Sequence, residues 1–181
     1  EDLLGRDQVH LDEESMRRFL KDKTVMVTGA GGSIGSELVR QIALFQPRSL
    51  LLVERAEFAL FAIEHEMRGQ DDGPTMVPLV ADVSDESRMR TIFQTYLPQV
   101  ILHAAAHKHV PMMESNPAEA IKNNVLATHL LAELASEFGV EAFVLISTDK
   151  AVRPTSVMGA SKRTAELVIQ DLNQRSATRY L

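Results

Sequence analysis

The chain alternates short apolar runs with amphipathic helical patterns, the apolar runs are continuous, and the first of them ends in glycines that open a helix. These three observations predict an α/β fold: a doubly wound parallel sheet with helices on both faces. A strand covered on either side is apolar throughout, and successive βαβ units give parallel strands. Residues 1–21 are polar and acidic and read as a lead-in segment, with a short helix over Ser15–Lys21. Strands are expected at Thr24–Thr28, Ser49–Glu54, Met76–Ala81, Gln99–His103 and Ala142–Ser147. Helices are expected between and after them, at Ser33–Phe45, Glu57–Arg68, Asp85–Tyr96, Pro117–Phe138 and Met158–Gln174. In the first of these, Ile34, Leu38, Ile42 and Phe45 share one face. Ser84 is placed to cap the third, Pro117 suits a first helical turn, and Gly139 suits a stop. The closing Thr178-Arg179-Tyr180-Leu181 looks like a further strand left without a partner.

Composition narrows the function classes. With 181 residues, 45% hydrophobic and 24% charged, the chain can bury one sizeable core. A net charge of −6 and the lack of a Lys/Arg stripe argue against nucleic-acid binding. There is no cysteine, hence no disulfide, no thiolate nucleophile and no cysteine metal site, which suits the cytoplasm. No apolar run approaches the roughly 20 residues that span a bilayer.

The chemistry-bearing residues fall where the predicted strands end. Thr28-Gly29-Ala30-Gly31-Gly32-Ser33-Ile34-Gly35 joins the first strand to the first amphipathic helix, with the spacing G-x-x-G-x-x-G. Bare backbone there can approach a pyrophosphate, and the helix directs unpaired N–H groups and its positive dipole end at the phosphates. The frame is therefore Rossmann-like. Glu54 closes the second strand, where an acid can bond an adenosine ribose, although a plain surface carboxylate fits as well. The adjacent Arg55 can instead receive a 2′-phosphate. The balance favours NAD over NADP.

Asp82, before Val83, can accept from an adenine amino group or bond its own turn. Ala104, Ala105 and Ala106 allow a flat ligand close to the backbone. In the polar, cationic segment His107–Glu114, Lys108 and His109 can meet substrate phosphates. The His-x-His pair invites a zinc reading, but no third ligand stands at useful spacing, so no metal is expected. Ser147-Thr148-Asp149-Lys150 brings hydroxyl, carboxylate and ammonium to the same edge, an acid–base set or a surface ion pair. Met158 and Lys162 lie one helical turn apart, so both can face one site, where Lys162 can hold a ribose.

The Thr28–Gly35 loop, Asp82-Val83, Ala104–Ala106, Asn123-Asn124-Val125, Ser147-Thr148 and Lys162 together resemble the extended short-chain dehydrogenase/reductase superfamily. Within it, His103–Pro111 and Ser147–Ala151 resemble the bacterial polysaccharide-biosynthesis UDP-N-acetylglucosamine 4,6-dehydratases. The likeness covers nearly the whole chain. It implies C4 oxidation by NAD(P)+, elimination of water across C5–C6 from the 4-ketone, and return of the hydride to C6. By the same resemblance Thr148 bonds the C4 oxygen, Asp149 is the acid for water loss, Lys150 the base at C5, and Lys162 the nicotinamide-ribose ligand. Ser147 is placed with the cofactor and Asn123 with the substrate. The superfamily usually has Tyr where Met158 stands, as the larger members of this branch do not. A thioether carries no proton, so C4 deprotonation is expected to fall to Lys150 or Asp149 through Thr148 or a water.

The resemblance also implies a further substrate-binding region after Tyr180, so 22–181 is expected to be an incomplete NAD(P)-binding domain. It implies a homo-oligomer too, through the helices at Pro117–Phe138 and Met158–Gln174. The opening 1–6 is similar to the segment following the membrane helices of larger members, which places the chain in the cytoplasmic part of an inner-membrane protein. Two other readings stay open: a nucleotide-sugar 4-epimerase, and a non-catalytic NAD(P)-binding module.

Overall fold

A computed structural model describes residues 12–68 and 73–181, so the expectations for 1–11 lie outside the described residues. Helix α1 (Glu13–Leu20) is capped by the Asp12 carboxylate and buries only Leu20. The chain then alternates β1 (Thr24–Thr28), α2 (Ser33–Ala43), β2 (Ser49–Glu54), α3 (Glu57–Met67), β3 (Thr75–Val80), α4 (Glu86–Tyr96) and β4 (Val100–His103). After β4 come two short helices, α5 (Val110–Ser115) and α6 (Pro117–Ala120), a π-helical turn (Ile121–Leu126) and α7 (Ala127–Glu137). β5 (Ala142–Leu145), a 3₁₀ turn (Asp149–Ala151), α8 (Val157–Arg175) and β6 (Arg179–Tyr180) complete it.

The six strands form one parallel sheet in the order β3-β2-β1-β4-β5-β6. Because side chains alternate across a strand, each apolar run feeds both faces. Val25, Val27, Leu50 and Leu52 pack with Val39 and Ile42 of α2 and Leu60 and Ile63 of α3. Met26, Leu51, Val53, Ile101 and Phe143 pack on the other face with α4, α7 and α8, through Phe93, Leu131 and Ile169. Fully burying one such Leu contributes about 1.5–3 kcal/mol. The order reverses between β1 and β4, and at such a switch point a crevice opens beyond the carboxyl ends of the strands.

Four expectations need correction. Asp85, not Ser84, caps α4, accepting from Arg88 N–H at 3.0 Å; Ser84 is taken by Asp82 instead. Ile34, in the first turn of α2, is 57% exposed and does not join Leu38, Ile42 and Phe45 at the core. The helix expected over Pro117–Phe138 is interrupted by the π-helical turn. The last strand has a partner, since β6 pairs with β5 and Leu181 N–H bonds Phe143 C=O at 2.9 Å.

Candidate functional site

The crevice at the switch point contains a cavity of about 200 Å³, floored by Gly29 and Gly32 and walled by Val53, Glu54, Arg55, Ala81, Asp82, Val83, Ala104–Ala106, His107 and Asn123. Gly29 has φ +67°, and a Cβ on it would lie 2.7 Å from Ala105 N; a Cβ on Gly35 would lie 1.9 Å from Gly29 O. Backbone packs on backbone here only because side chains are absent. Gly32 opens α2 without a side-chain cap, which leaves N–H groups of the first turn directed toward the crevice with the dipole behind them. This bare cradle fits the pyrophosphate of a dinucleotide.

Glu54 is fixed by local bonds: its carboxylate accepts from Gly31 N–H at 3.2 Å and Ala56 N–H at 3.0 Å, bracing the glycine loop. Asp82 accepts from the Ser84 N–H at 2.8 Å and hydroxyl at 2.7 Å. Burial alone would raise its pKa, but these bonds and the charges of Arg55 and Lys122 hold it below the usual value. Arg55 reaches Asp82 at 3.7 Å and donates to Asn123 Oδ1 at 3.4 Å. Asn123, expected with the substrate, therefore stands in the wall of the glycine-loop cavity, and it also donates to Glu119 C=O. Lys108 and His109 lead into α5, and neither lines this cavity.

Behind the cavity a buried polar chain ties the elements together. The β1–β4 register sets Thr28 opposite His103, with Oγ1 2.6 Å from Nδ1. His103 Nε2 lies 2.9 Å from Thr128 Oγ1, whose one proton goes to Asn124 C=O at 2.8 Å. That fixes the tautomer: Nε2–H donates to Thr128, and Nδ1 accepts from the Thr28 hydroxyl. Burial, aided by the Lys162 ammonium, pushes the His103 pKa down to about 3, so the ring is neutral. Asn124 accepts from His107 N–H at 2.8 Å and donates to His107 C=O at 3.1 Å and Ser161 Oγ at 2.9 Å. The turn before α7 thereby holds the loop after β4 against α8. Sequence reasoning singled out neither His103 nor Asn124 for this task; the signal was two polar residues inside otherwise apolar or motif-bearing stretches.

At the end of β5 the 3₁₀ turn presents the remaining candidates. Thr148 caps the turn and its hydroxyl donates to Asp149 at 3.0 Å, while Lys150 Nζ lies 3.5 Å from Asp149. The Thr148 bond, then the Lys150 charge, holds the Asp149 carboxyl below its ordinary range. Both charged side chains are exposed. Lys162 is buried, donates to Ile146 C=O at 2.7 Å, and has its pKa pushed down to about 8 by desolvation. Met158, one helical turn before it, is buried as well. The thioether is buried with Met113 and Ala120 in an apolar cluster, where it packs and cannot exchange protons. Ser147 donates to Glu166, a residue that sequence reasoning missed although positions 158, 162 and 166 lie at helical spacing. Among the described residues no three His, Cys, Asp or Glu side chains cluster to hold a metal ion.

A parallel sheet with reversed order at β1/β4, a glycine cradle and a lysine under β5 define a Rossmann-type dinucleotide-binding unit of the short-chain dehydrogenase/reductase kind. The family model described as "Polysaccharide biosynthesis protein" matches residues 25–181, and the chain belongs to that family. It is 50% identical to the "Probable polysaccharide biosynthesis protein EpsC" of Bacillus subtilis, over 100% of this chain and 30% of that protein. It is 31% identical to a "UDP-N-acetylglucosamine 4,6-dehydratase (inverting)" of Campylobacter jejuni, over 80% of this chain and 42% of the relative. A "UDP-glucose 4-epimerase" of Rickettsia rickettsii is 32% identical over 86% of this chain and 46% of its own length. Among solved structures, Pen from Bacillus thuringiensis superposes with a TM-score of 0.80 at 29% identity, over 88% of this chain and 50% of that one. The chain thus spans less than half the length of the three curated relatives and half of the solved structure.

Proposed function

We propose that this chain is the cofactor-binding part of a nucleotide-sugar 4,6-dehydratase that acts on UDP-N-acetylglucosamine in bacterial surface polysaccharide biosynthesis. The Asp149–Lys150 pair carries the reading: a carboxylate and an ammonium 3.5 Å apart, on a turn at the same sheet edge as the glycine cradle. Eliminating water across C5–C6 needs a base and an acid side by side, whereas a 4-epimerase has no such step. The likeness to the Campylobacter jejuni dehydratase points the same way.

In this reading 22–181 forms one domain, and NAD is its cofactor. Gly29, Gly31, Gly32, Ser33, Ile34 and Gly35 hold the pyrophosphate, while Glu54, Arg55, Asp82, Val83 and Ala104–Ala106 surround the adenosine. The nicotinamide, when bound, supplies the hydride acceptor for C4 and the hydride donor for C6. Lys162 and Ser147 secure the nicotinamide side, and Lys108 and His109 meet the sugar-nucleotide phosphates. Thr148 bonds the C4 oxygen. Lys150 removes the C5 proton and Asp149 protonates the departing C6 hydroxyl.

At rest the pair is an ammonium and a carboxylate, the reverse of what elimination needs. Moving one proton from Lys150 to Asp149 gives a neutral base beside a neutral acid. Covering the exposed turn with substrate favours that neutral form, because desolvation penalises both charges. With a thioether at position 158, the C4 hydroxyl proton passes through Thr148 or a water to the pair and on to solvent before elimination, so the pair again shares a single proton when Lys150 takes the one at C5.

The reading extends to the cytoplasmic part of a membrane-anchored homo-oligomer. Among the described residues no helix is long and apolar enough to cross a membrane; in this reading the anchoring helices would belong to other parts of a protein of which the chain, by comparison with the Bacillus subtilis relative, spans about 30%. A UDP-sugar 4-epimerase is the second reading, favoured by the likeness to the Rickettsia rickettsii enzyme. The full-length protein is to be incubated with UDP-N-acetylglucosamine and NAD+ in heavy water. Loss of water with one non-exchangeable deuterium at C5 supports dehydration. An unchanged mass with altered C4 configuration supports epimerisation, and absence of turnover overturns both.

A further inference from the structure

We propose that Glu166 is a positioning residue: its carboxylate holds the Ser147 hydroxyl at the end of β5 and is the counter-ion of the Lys162 ammonium one helical turn before it. The inference rests on the reading of Ser147 and Lys162 as residues of the nicotinamide side. Helix α8 grips the end of β5 at two consecutive residues. Lys162 donates to Ile146 C=O at 2.7 Å, and Glu166 Oε1 accepts from the Ser147 hydroxyl at 2.5 Å. Glu166 is itself oriented by Arg163, which donates to its other oxygen at 2.8 Å.

The carboxylate is only 25% exposed, so its field on Lys162 is less screened than that of a surface acid. Burial would raise its pKa, but the bonds from Ser147 and Arg163 outweigh that and keep it ionised.

The other groups around Lys162 do not replace it. His103 from β4 is neutral, and β5 offers only the Ile146 carbonyl. Asp149 and Lys150, on the turn after β5, are exposed and paired with one another. Glu166, one helical turn along α8 and bonded to the residue next to the Ile146 carbonyl that Lys162 holds, is the nearby anion whose field opposes the desolvation of Lys162 without a direct ion pair. Without it the ammonium, already poised at about 8, titrates lower and loses part of its charge at neutral pH, and the Ser147 hydroxyl loses its fixed direction.

The test is a ¹³C NMR titration of the full-length protein labelled at lysine Cε. This chain contributes six lysines, and the Lys162 resonance is the one lost in Lys162→Met. In Glu166→Gln, an isosteric change that still accepts from Ser147, the Lys162 midpoint is expected to fall by roughly one unit. In Glu166→Asp, with the carboxylate drawn back by one methylene, it falls by less. The alkaline limb of the kcat/KM profile should move down with it, and the NAD KM should rise more than kcat falls. An unmoved Lys162 midpoint in either variant overturns the inference, whatever the activity. A lowered midpoint in a protein that turns over no sugar nucleotide upholds it and removes the dehydratase reading instead.

Discussion

Acidification should weaken this domain through His103 well before pH 3. The ring is buried, its Nδ1 accepts from Thr28, and its pKa is about 3 against 6.5 for an unconstrained histidine. Between those two values the unfolded chain binds a proton that the folded chain refuses. Stability is therefore complete above about pH 6.5 and declines as pH falls. The gap of 3.5 units, at 1.36 kcal/mol per unit, sets an upper bound of ~5 kcal/mol by pH 3, and 1.5 units gives ~2 kcal/mol by pH 5. That is a large share of the 5–15 kcal/mol typical of a domain.

Urea unfolding of the wild type and of His103→Leu at pH 7.5 and pH 5 isolates the effect, since the carboxylates are common to both. The variant should lose roughly 1–3 kcal/mol at pH 7.5, because the Thr28 hydroxyl loses its acceptor. Its further loss on going to pH 5 should be ~2 kcal/mol smaller than that of the wild type. Equal pH dependence in the two proteins would refute the neutral, buried histidine.

Three further perturbations probe the site. Gly35→Ala places a Cβ 1.9 Å from Gly29 O, so NAD+ affinity by calorimetry should fall at least tenfold as the cradle is forced open. Gly159→Ala would ordinarily stabilise a helix by ~1 kcal/mol. Here its Cβ would meet Lys150 O at 2.3 Å, so the Asp149–Lys150 turn should shift. Turnover is then expected to drop severalfold with NAD+ affinity retained. Lys150→Ala should abolish deuterium exchange at C5 and, with Met158 in place, C4 oxidation as well. Met158→Tyr in that background should restore C4 oxidation alone, and full C4 oxidation by Lys150→Ala itself would show that another group takes the proton.

The strands were legible because their apolar runs end at polar or glycine residues; β1 and β2 begin and end where the sequence places them. The glycine loop and the residues closing β2, β3 and β4 were legible for the same reason, since a parallel sheet gathers strand ends on one edge. The α4 cap was not, because Ser84 and Asp85 are both good caps and only the Asp82 turn decides between them. Nor was the π-helical turn, which is stitched by Asn123 to Glu119, Asn124 to His107 and Thr128 to His103, contacts up to 25 residues apart. Ile34 followed the helical period but stands in the first turn of α2, exposed, where the core does not reach it. Met158 was singled out by its spacing from Lys162, but its packing against Met113 of α5 and Ala120 of α6 depends on residues about 40 positions away and was not legible.

The central claim is that one hydride leaves C4 and returns to C6 of the same sugar, with the acid–base pair removing water in between. UDP-N-acetylglucosamine carrying deuterium at C4, incubated with the full-length protein and NAD+, tests it directly by mass spectrometry and NMR of the product. A dehydrated 4-keto product with the deuterium in its C6 methyl group is the expected result. Deuterium retained at C4 of an epimerised sugar, or lost from a dehydrated product, would contradict the account.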